Sequence, residues 1–334
     1  MALIVRSKRR NSFRSASLSV VLLFLCSSSA YSPSLARQSV SPSGAGQSKI
    51  QAKTQLVMLP VSVMDANGNF ISGLSQQSFR VYEDGRPQSI TSFHEGDSPV
   101  TVGLIVDHSR SMGPKLAEVA AAVSAFAQSS NPQDEMFVVD FNDDVSVELM
   151  DGKAFTSDPK ELAKAVFSVR ARGRTALYDA VDEGLIHLQV GHWDKRALII
   201  VSDGGDNASQ KKYSQVLALA RQSQVMIYSV GLVDANEEED PGLLRRLSKD
   251  TGGIAFFPMS LEGVADISKE IARDLREQYT LGFIPEQTGT ADSFRHIKVK
   301  VAAPGHGKIH VRTRPGYFTP EQEQAPAKIE KSTS

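Results

Sequence analysis

The chain has 334 residues, of which 41% are hydrophobic and 22% charged, and its formal net charge is −1 at pH 7. This is the composition of a soluble globular protein, and the length is enough for one large or two ordinary domains. The first 30 residues carry five basic and no acidic side chains, so the chain without them has a net charge of −6. An acidic balance of this kind argues against nucleic acid as a partner.

Residues 1–30 have the features of an export signal. A basic segment precedes the apolar stretch ASLSVVLLFLC, and small residues follow it up to Ala30. The apolar stretch is shorter than the roughly 20 residues that a membrane-spanning helix needs, which favours a cleaved signal over a permanent anchor. Cleavage after Ala30 or Ala36, and Sec or twin-arginine export, remain open. We therefore expect a bacterial protein of the periplasm, the outer surface or the medium, with no transmembrane span in the mature chain.

The next segments are a linker and the first of two β-rich flanks. Residues 31–50 are rich in Ser, Pro and Gly, which predicts a disordered linker. Residues 51–98 contain strand patterns and a hairpin signal at Asp84-Gly85. The single cysteine, Cys26, lies in the export signal, so the mature chain has no disulfide.

Strand and helix patterns alternate between residues 99 and 278. Four apolar runs have the continuous hydrophobicity of strands buried on both faces: 101–106, 136–141, 196–202 and 225–231. Five segments have apolar residues at helical spacing: 114–128, 158–168, 176–190, 211–222 and 260–278. This alternation predicts an α/β fold with a doubly wound, mostly parallel, Rossmann-like sheet.

A second β-rich flank covers residues 279–319, where we expect three short strands, and residues 320–334 form a polar tail predicted to be disordered. Neither flank has enough strands to be stable alone. We therefore expect the two flanks to pair into one β-sandwich-like domain into which the α/β segment is inserted. Two separate β additions are the alternative.

Oxygen-bearing side chains follow the ends of the predicted strands. Asp107, Ser109 and Ser111 come directly after the first strand of the α/β segment, in VGLIVDHSRSMG. Asp203 follows the strand RALIIVS, and Thr175 lies in a glycine-containing loop before a helix. Ligands of open α/β sheets bind at the carboxyl ends of the strands, so we expect these side chains to converge. Taken singly, each has an alternative interpretation as a helix cap or a turn residue.

The predicted donor set favours a hard divalent cation. It contains oxygen donors without Cys or His, which suits Mg²⁺, with Mn²⁺ or Ca²⁺ as alternatives. Two aspartates balance the charge of one divalent ion, and neutral hydroxyls do not reduce it further. Such an ion still attracts a carboxylate from outside. The residues therefore predict a docking site for an acidic group rather than a sealed structural metal site.

Residues 99–278 resemble a von Willebrand factor type A domain with its metal-ion-dependent adhesion site. The family pattern is D-x-S-x-S, a Thr in a central loop and an Asp in T/S-D-G, which DHSRS, GRTALYDA and VSDGGD match. The resemblance implies that Ser109 and Ser111 bind the ion directly, and that Thr175 does so in one conformation. It also implies that Asp107 and Asp203 act mainly through water, and that a Glu or Asp of a protein partner completes the coordination. The flanks, VYEDGRPQSITSF before this segment and QYTLGFIP…RPGYF after it, resemble those of exported proteins abundant in Acidobacteria.

Four neighbouring residues are candidates for a supporting role: His108, Arg110, Asp179 and Asp206. We interpret His108 as a residue at the rim rather than a ligand, because the pattern uses oxygen. Arg110 stands where many family members have Gly. Three interpretations of Arg110 are open: it recruits anions beside the metal, it pairs with Asp143 or Asp144, or it is a solvated surface arginine. Asp179, one turn into its helix, is expected to hold the central loop through hydrogen bonds.

The favoured function is an exported metal-ion-dependent binding or adhesion module that is not an enzyme. The alternatives are a metal-assisted hydrolase and a structural envelope protein with a non-functional metal site. The sequence contains no G-x-S-x-G or H-E-x-x-H motif and no phosphate-binding glycine loop, and its seven histidines lack metal-ligand spacing. A hydrolase would have to use His108 or an aspartate as its base.

Overall fold

The computed structural model describes residues 56–147, 149, 152–232, 240–285 and 293–318. The predicted export signal, linker and C-terminal tail lie outside these residues. Within the described ranges, no helix is long and apolar enough to cross a membrane.

Fourteen strands and six α-helices make up the described part of the chain. The strands are β1 (Val57–Met64), β2 (Phe79–Glu83), β3 (Arg86–Gln88), β4 (Ile90–His94), β5 (Thr101–Asp107), β6 (Glu135–Phe141), β7 (Val145–Val147), β8 (Arg196–Ser202), β9 (Met226–Gly231), β10 (Ala255–Phe256), β11 (Tyr279–Phe283), β12 (Phe294–Val301), β13 (His310–Arg312) and β14 (Gly316–Phe318). The helices are α1 (Leu116–Ser129), α2 (Pro159–Ser168), α3 (Leu177–His187), α4 (Tyr213–Gln222), α5 (Pro241–Thr251) and α6 (Val264–Arg276).

The α/β segment is built on a six-stranded sheet of order β10-β9-β8-β5-β6-β7. All neighbouring strands run parallel except β7, which pairs antiparallel with β6. Every residue of β5 and β9 is buried, as expected of strands covered on both faces. Helices α1, α2 and α6 cover one face and α3, α4 and α5 cover the other, each layer around its own hydrophobic cluster. The predicted doubly wound, mostly parallel sheet is confirmed.

Helix α5 is not among the helices predicted from periodicity. Its boundary signals are nevertheless present in the sequence. Asp240 precedes the helix and its side chain accepts a hydrogen bond from the backbone N–H of Leu243 at 3.1 Å. Pro241 occupies the first turn, and Gly252 ends the helix with a φ of +88°.

Strand pairing joins the two β-rich flanks. Strands β1, β4, β11 and β13 form one four-stranded sheet, and β2, β3, β12 and β14 form another, both antiparallel. Side chains of both sheets share one hydrophobic cluster, in which the rings of Phe79 and Tyr279 lie 4.9 Å apart. The second flank contributes four strands instead of the expected three, because the chain around Pro315 separates β13 from β14 and a proline cannot donate to a ladder. The domain limits at residues 98 and 278 stay predictions.

A buried polar network connects α6 with both flanks. The carboxylate of Asp274 accepts hydrogen bonds from the hydroxyls of Ser62 at 2.7 Å and Tyr228 at 2.6 Å, and from the guanidinium group of Arg312. The amide of Gln278 donates to the Tyr228 hydroxyl at 3.1 Å. Because the partners belong to β1, β9, β13 and the end of α6, the network fixes α6 to the paired flanks.

Lys195 is a buried cation next to this network. Only 9% of the residue is exposed, and its ammonium group donates to the backbone carbonyl of Leu275. Burial lowers the pKa of Lys195 to about 8, against the attraction of Asp274, Asp134 and Asp97.

This pKa predicts a specific pH dependence of stability. The folded chain loses the Lys195 proton near pH 8, whereas the unfolded chain keeps it up to the ordinary value of 10.5. Between these values the unfolded state binds more protons than the folded state. The contribution of Lys195 to the free energy of unfolding therefore becomes more favourable to the folded state as pH rises. We expect the unfolding free energy of the wild type, relative to Lys195→Met, to rise by roughly 1–3 kcal/mol from pH 8 to 10. Urea denaturation of both proteins at several pH values measures this difference. A difference in unfolding free energy that stays constant between pH 8 and 10 would contradict the prediction.

Candidate metal centre

The carboxylate of Asp107 is held in place at the end of β5. The residue is fully buried. One carboxylate oxygen accepts a hydrogen bond from the backbone N–H of Ser109 at 2.7 Å, and the other accepts one from the Ser202 hydroxyl at 2.6 Å. The first of these bonds is an Asx turn, which bends the chain directly after the strand. The turn starts the segment that carries Ser109 and Ser111.

Oxygen atoms from the ends of two neighbouring strands meet beside Asp107. The hydroxyl oxygens of Ser109 and Ser111 lie 3.2 Å apart. The Ser111 hydroxyl donates to a carboxylate oxygen of Asp203 at 2.5 Å. Asp203 follows β8, which pairs with β5 in parallel register, so the two strand ends lie at the same edge of the sheet.

The negative charges of two carboxylates, Asp107 and Asp203, repel each other at this edge of the sheet. Burial, together with the negative charge of Asp203, raises the pKa of Asp107 to about 6. Asp203 is itself 5% exposed. A cation between or beside these groups would remove the repulsion, because it interacts favourably with both carboxylates.

Thr175 lies in the same cleft as the two serines. It is 5% exposed and lines an open cleft of about 690 Å³ together with Ser109 and Ser111. Its backbone N–H donates to the side-chain oxygen of Asn207 at 2.9 Å, and the N–H of Asn207 donates back to the Thr175 carbonyl at 3.0 Å. Within the described ranges, the Thr175 hydroxyl forms no hydrogen bond. The role of Asn207 in fixing Thr175 was not predicted, because it depends on contact between two loops that are distant in the sequence.

His108 lies beneath the cleft and not at its rim, so that part of the sequence interpretation is wrong. The residue is fully buried. One ring nitrogen is 2.8 Å from the carbonyl of Val166, at α2, and the other is 3.1 Å from a carboxylate oxygen of Asp140, on β6. The backbone leaving β5 turns this side chain inward, towards α2, while the serines on either side of Arg110 face the cleft. A buried ring with both nitrogens engaged is not placed to act on a ligand in the cleft.

Asp206 and Asp179 connect the start of α3 to the loop after β8. Asp206 accepts a hydrogen bond from the backbone N–H of Tyr178 at 2.9 Å. Asp179 accepts bonds from the backbone N–H groups of Gln210 at 2.8 Å and Lys211 at 2.9 Å. Asp179 was expected to hold its own loop, but its carboxylate braces the neighbouring loop instead. The two loops that carry Thr175 and Asp203 are thereby held together from both sides.

Arg110 points to solvent and lines the cleft. The two acidic residues proposed as its partners are engaged elsewhere. A carboxylate oxygen of Asp143 lies 2.9 Å from the Nε atom of Arg174, and one of Asp144 lies 3.8 Å from Arg172. The alternative in which Arg110 pairs with Asp143 or Asp144 is therefore wrong, because the arginines of the central loop pair with both aspartates. The exposed position of Arg110 agrees with the alternative of a solvated arginine.

Hydroxyls that line the cleft and carboxylates beside it are donors of the kind that suits a hard divalent cation. Two carboxylates and three hydroxyls form the donor set, at positions Asp107, Ser109, Ser111, Thr175 and Asp203. In the part of the chain that the structure describes, no group of three or more His, Cys, Asp or Glu side chains could hold a metal. A metal held at this edge would therefore need the serine and threonine hydroxyls as well as the aspartates.

Comparison with known proteins identifies the type of domain. A family model described as von Willebrand factor type A domain matches residues 102–270, which is just over half of the chain. Domains of this type commonly bind a divalent metal and typically mediate binding between proteins. None of the curated proteins matches the chain significantly.

Several solved structures are similar to the chain at low sequence identity. The conserved hypothetical protein BatB from Bacteroides thetaiotaomicron is 20% identical, with 52% of this chain and 98% of that chain covered and a TM-score of 0.41. A von Willebrand factor type A protein from Catenulispora acidiphila is 12% identical, with coverage of 81% and 76% and a TM-score of 0.48. The vWF domain of the type V pili tip protein Mfa5 from Porphyromonas gingivalis is 11% identical, with coverage of 53% and 95% and a TM-score of 0.44.

Proposed function

Because this chain belongs to the von Willebrand factor type A family, we propose that it is an exported metal-ion-dependent binding module. Domains of this family are in general binding or adhesion modules rather than enzymes. In the proposed site, two aspartates and three hydroxyl residues hold one Mg²⁺ ion, with Mn²⁺ or Ca²⁺ as alternatives. They are Asp107, Ser109, Ser111, Thr175 and Asp203. A protein partner offers an Asp or Glu carboxylate to the ion.

The convergence of oxygen atoms around Ser111 is the observation that carries the proposal. Its hydroxyl lies 3.2 Å from the Ser109 hydroxyl and 2.5 Å from the Asp203 carboxylate. These residues come from two different strand ends, 92 positions apart in the chain for Ser111 and Asp203. Helix capping or an ordinary turn explains one such residue, but it does not explain why distant oxygen donors meet beside a buried carboxylate.

The charge balance supports a site at which a partner's carboxylate docks on the ion, rather than a site that encloses the ion completely. The two aspartates neutralise a divalent ion, and the hydroxyls add no charge. The ion therefore keeps its attraction for a further carboxylate, and the cleft above the serines is open to solvent. Contacts around the ion would have to supply specificity, because one carboxylate–metal contact is common to every acidic partner.

The hydrolase alternative cannot use His108 as its base. His108 is the histidine nearest to the predicted ligands in sequence, and its ring is buried with both nitrogens engaged. The structural alternative, in which the metal site does not function, differs from the proposal in one measurable property, the affinity for Mg²⁺. Export itself rests on residues 1–30, which predict a periplasmic, outer-surface or secreted protein, and the acidic balance of the remaining chain argues against nucleic acid as a partner.

Metal titration of the full chain tests the proposed site. We expect isothermal titration calorimetry with MgCl₂ to report one site in the wild type. Ser111→Ala removes a direct ligand and is expected to weaken binding at least about tenfold, since each oxygen donor contributes to holding a hard cation. Ser124→Ala, a serine of α1 outside the cleft, is the matched control and should bind Mg²⁺ like the wild type.

Equal Mg²⁺ affinity in the Ser111→Ala variant, or no affinity in the wild type, would contradict the proposed metal site. The docking part is tested with the same variants as bait in an envelope extract. A partner retained by the wild type and by Ser124→Ala, but lost with chelator and with Ser111→Ala, is the expected result. Recovery of the same proteins with and without chelator would show that no ion mediates docking.

A further inference from the structure

We infer that the cleft selects protein segments carrying two neighbouring acidic side chains, one for the metal ion and one for Arg110. This inference rests on the proposed metal-dependent docking and names the chemistry of the partner. It makes Arg110 a residue that determines specificity, acting through an ion pair with the partner.

The position of Arg110 places its charge beside the proposed ion. It lies between two predicted metal ligands, Ser109 and Ser111, and lines the same cleft. Its backbone N–H faces the carbonyl of Gly173 at 3.4 Å, so the base of the residue is held against the central loop. Its side chain is exposed, which leaves the guanidinium group accessible to a ligand.

The charge of Arg110 is not compensated in the described part of the chain, whereas those of neighbouring arginines are. Arg174 forms an ion pair with Asp143 at 2.9 Å, and Arg172 lies 3.8 Å from Asp144. The hydrogen bond from Arg174 lowers the pKa of Asp143, so this aspartate stays ionised and cancels the charge of its partner at neutral pH. Arg110 has no ion pair within the described ranges.

The charges of the metal ligands do not compensate Arg110 once an ion is bound. Asp107 and Asp203 together balance one divalent cation. A ligand with one carboxylate satisfies the remaining attraction of the ion and leaves the guanidinium group without an anion. A second carboxylate pairs with Arg110, and a guanidinium group can donate two parallel hydrogen bonds to it.

Arg174, the other arginine that lines the cleft, is engaged within the protein, which leaves Arg110 to pair with the ligand. The Nη1 atom of Arg174 faces the carbonyl of Asn207 at 3.4 Å, and its Nε atom is engaged by Asp143. The cleft volume of about 690 Å³ accommodates a short peptide segment but is open on one side. A peptide can present two acidic side chains a few residues apart, and their spacing decides whether both contacts form.

A set of capped hexapeptides tests this inference on the full chain. One peptide has the sequence Gly-Ser-Asp-Gly-Ser-Gly, and the others carry a second acidic residue, Glu, at one of the remaining positions. We expect binding measured by calorimetry to depend on Mg²⁺ and to be about fivefold tighter for the best peptide with two acids than for the peptide with one. This preference should disappear in Arg110→Gln. It should persist in Arg172→Gln, an exposed arginine that does not line the cleft.

The outcomes separate the inference from the function on which it rests. If no peptide binds the wild type in a Mg²⁺-dependent manner, the proposed docking function is overturned together with the inference. If the peptides bind with Mg²⁺ but with equal affinity, only the inference is overturned. The inference alone is also overturned if Arg110→Gln keeps the fivefold preference for the peptide with two acids. A variant that binds all peptides more weakly by the same factor keeps this preference and counts as that outcome.

Discussion

Replacing Asp274 by alanine is expected to lower the free energy of unfolding by about 3–5 kcal/mol. Asp274 is 2% exposed and accepts hydrogen bonds from Ser62, Tyr228 and Arg312. Its removal leaves a guanidinium group with a largely buried side chain, and two hydroxyls, without their acceptor. Chemical denaturation of the full chain measures the loss.

The control for this prediction lies on the same helix. Asp266 pairs with Lys269 at 2.9 Å, and its side chain is 81% exposed. Asp266→Ala is expected to change the free energy of unfolding by no more than about 0.5 kcal/mol. The double variant Asp274→Leu/Arg312→Met should be clearly more stable than Asp274→Ala, because it removes both charges together. Similar losses for Asp274→Ala and Asp266→Ala would contradict the role assigned to the network.

Replacing Asp203 by asparagine is expected to weaken Mg²⁺ binding by about 10- to 100-fold without destabilising the metal-free protein. The variant removes one of two negative charges, and the charge of Asp203 is one of the causes that raise the pKa of Asp107. An asparagine oxygen can still accept the hydrogen bond from Ser111. The negative charge of Asp203 therefore favours Mg²⁺ binding but does not favour the stability of the metal-free chain.

Calorimetric melting with and without Mg²⁺ checks this second prediction. At a free Mg²⁺ concentration about 100 times the dissociation constant, a ligand that binds the native state adds about 2.7 kcal/mol to wild-type stability. The same concentration should stabilise Asp203→Asn far less. Asp144→Asn, an exposed position 3.8 Å from Arg172, is the control and should respond like the wild type. Equal stabilisation of Asp203→Asn by Mg²⁺ would contradict the proposed site.

Local patterns were enough to predict the α/β part of the fold. The strands β5, β6, β8 and β9 are buried on both faces, which produces continuous apolar runs in the sequence. Helix α5 was not predicted from periodicity, although the cap signals at Asp240, Pro241 and Gly252 mark its two ends. Boundary residues carried the information at this helix.

Some features of the site have local causes in the sequence, and others depend on contacts between distant residues. Asp107, Ser109 and Ser111 are close in sequence, and the Asx turn that orders them is a local interaction. The inward position of His108 could not be predicted, because it depends on contacts with Val166 and with Asp140. Both partners are more than 30 positions away in the chain.

The sequence by itself determined the strand–helix alternation, the chemistry of the donor set and the strand ends that carry it. These properties follow from side-chain periodicity and from residue type, which are local. Tertiary structure alone decided the pairing of the two flanks, the network around Asp274, the partners of Asp143 and Asp144, and the exposed position of Arg110, which has no ion pair among the described residues. Those features depend on which distant segments bury their side chains against one another, and the free energy of that burial is a property of the whole fold.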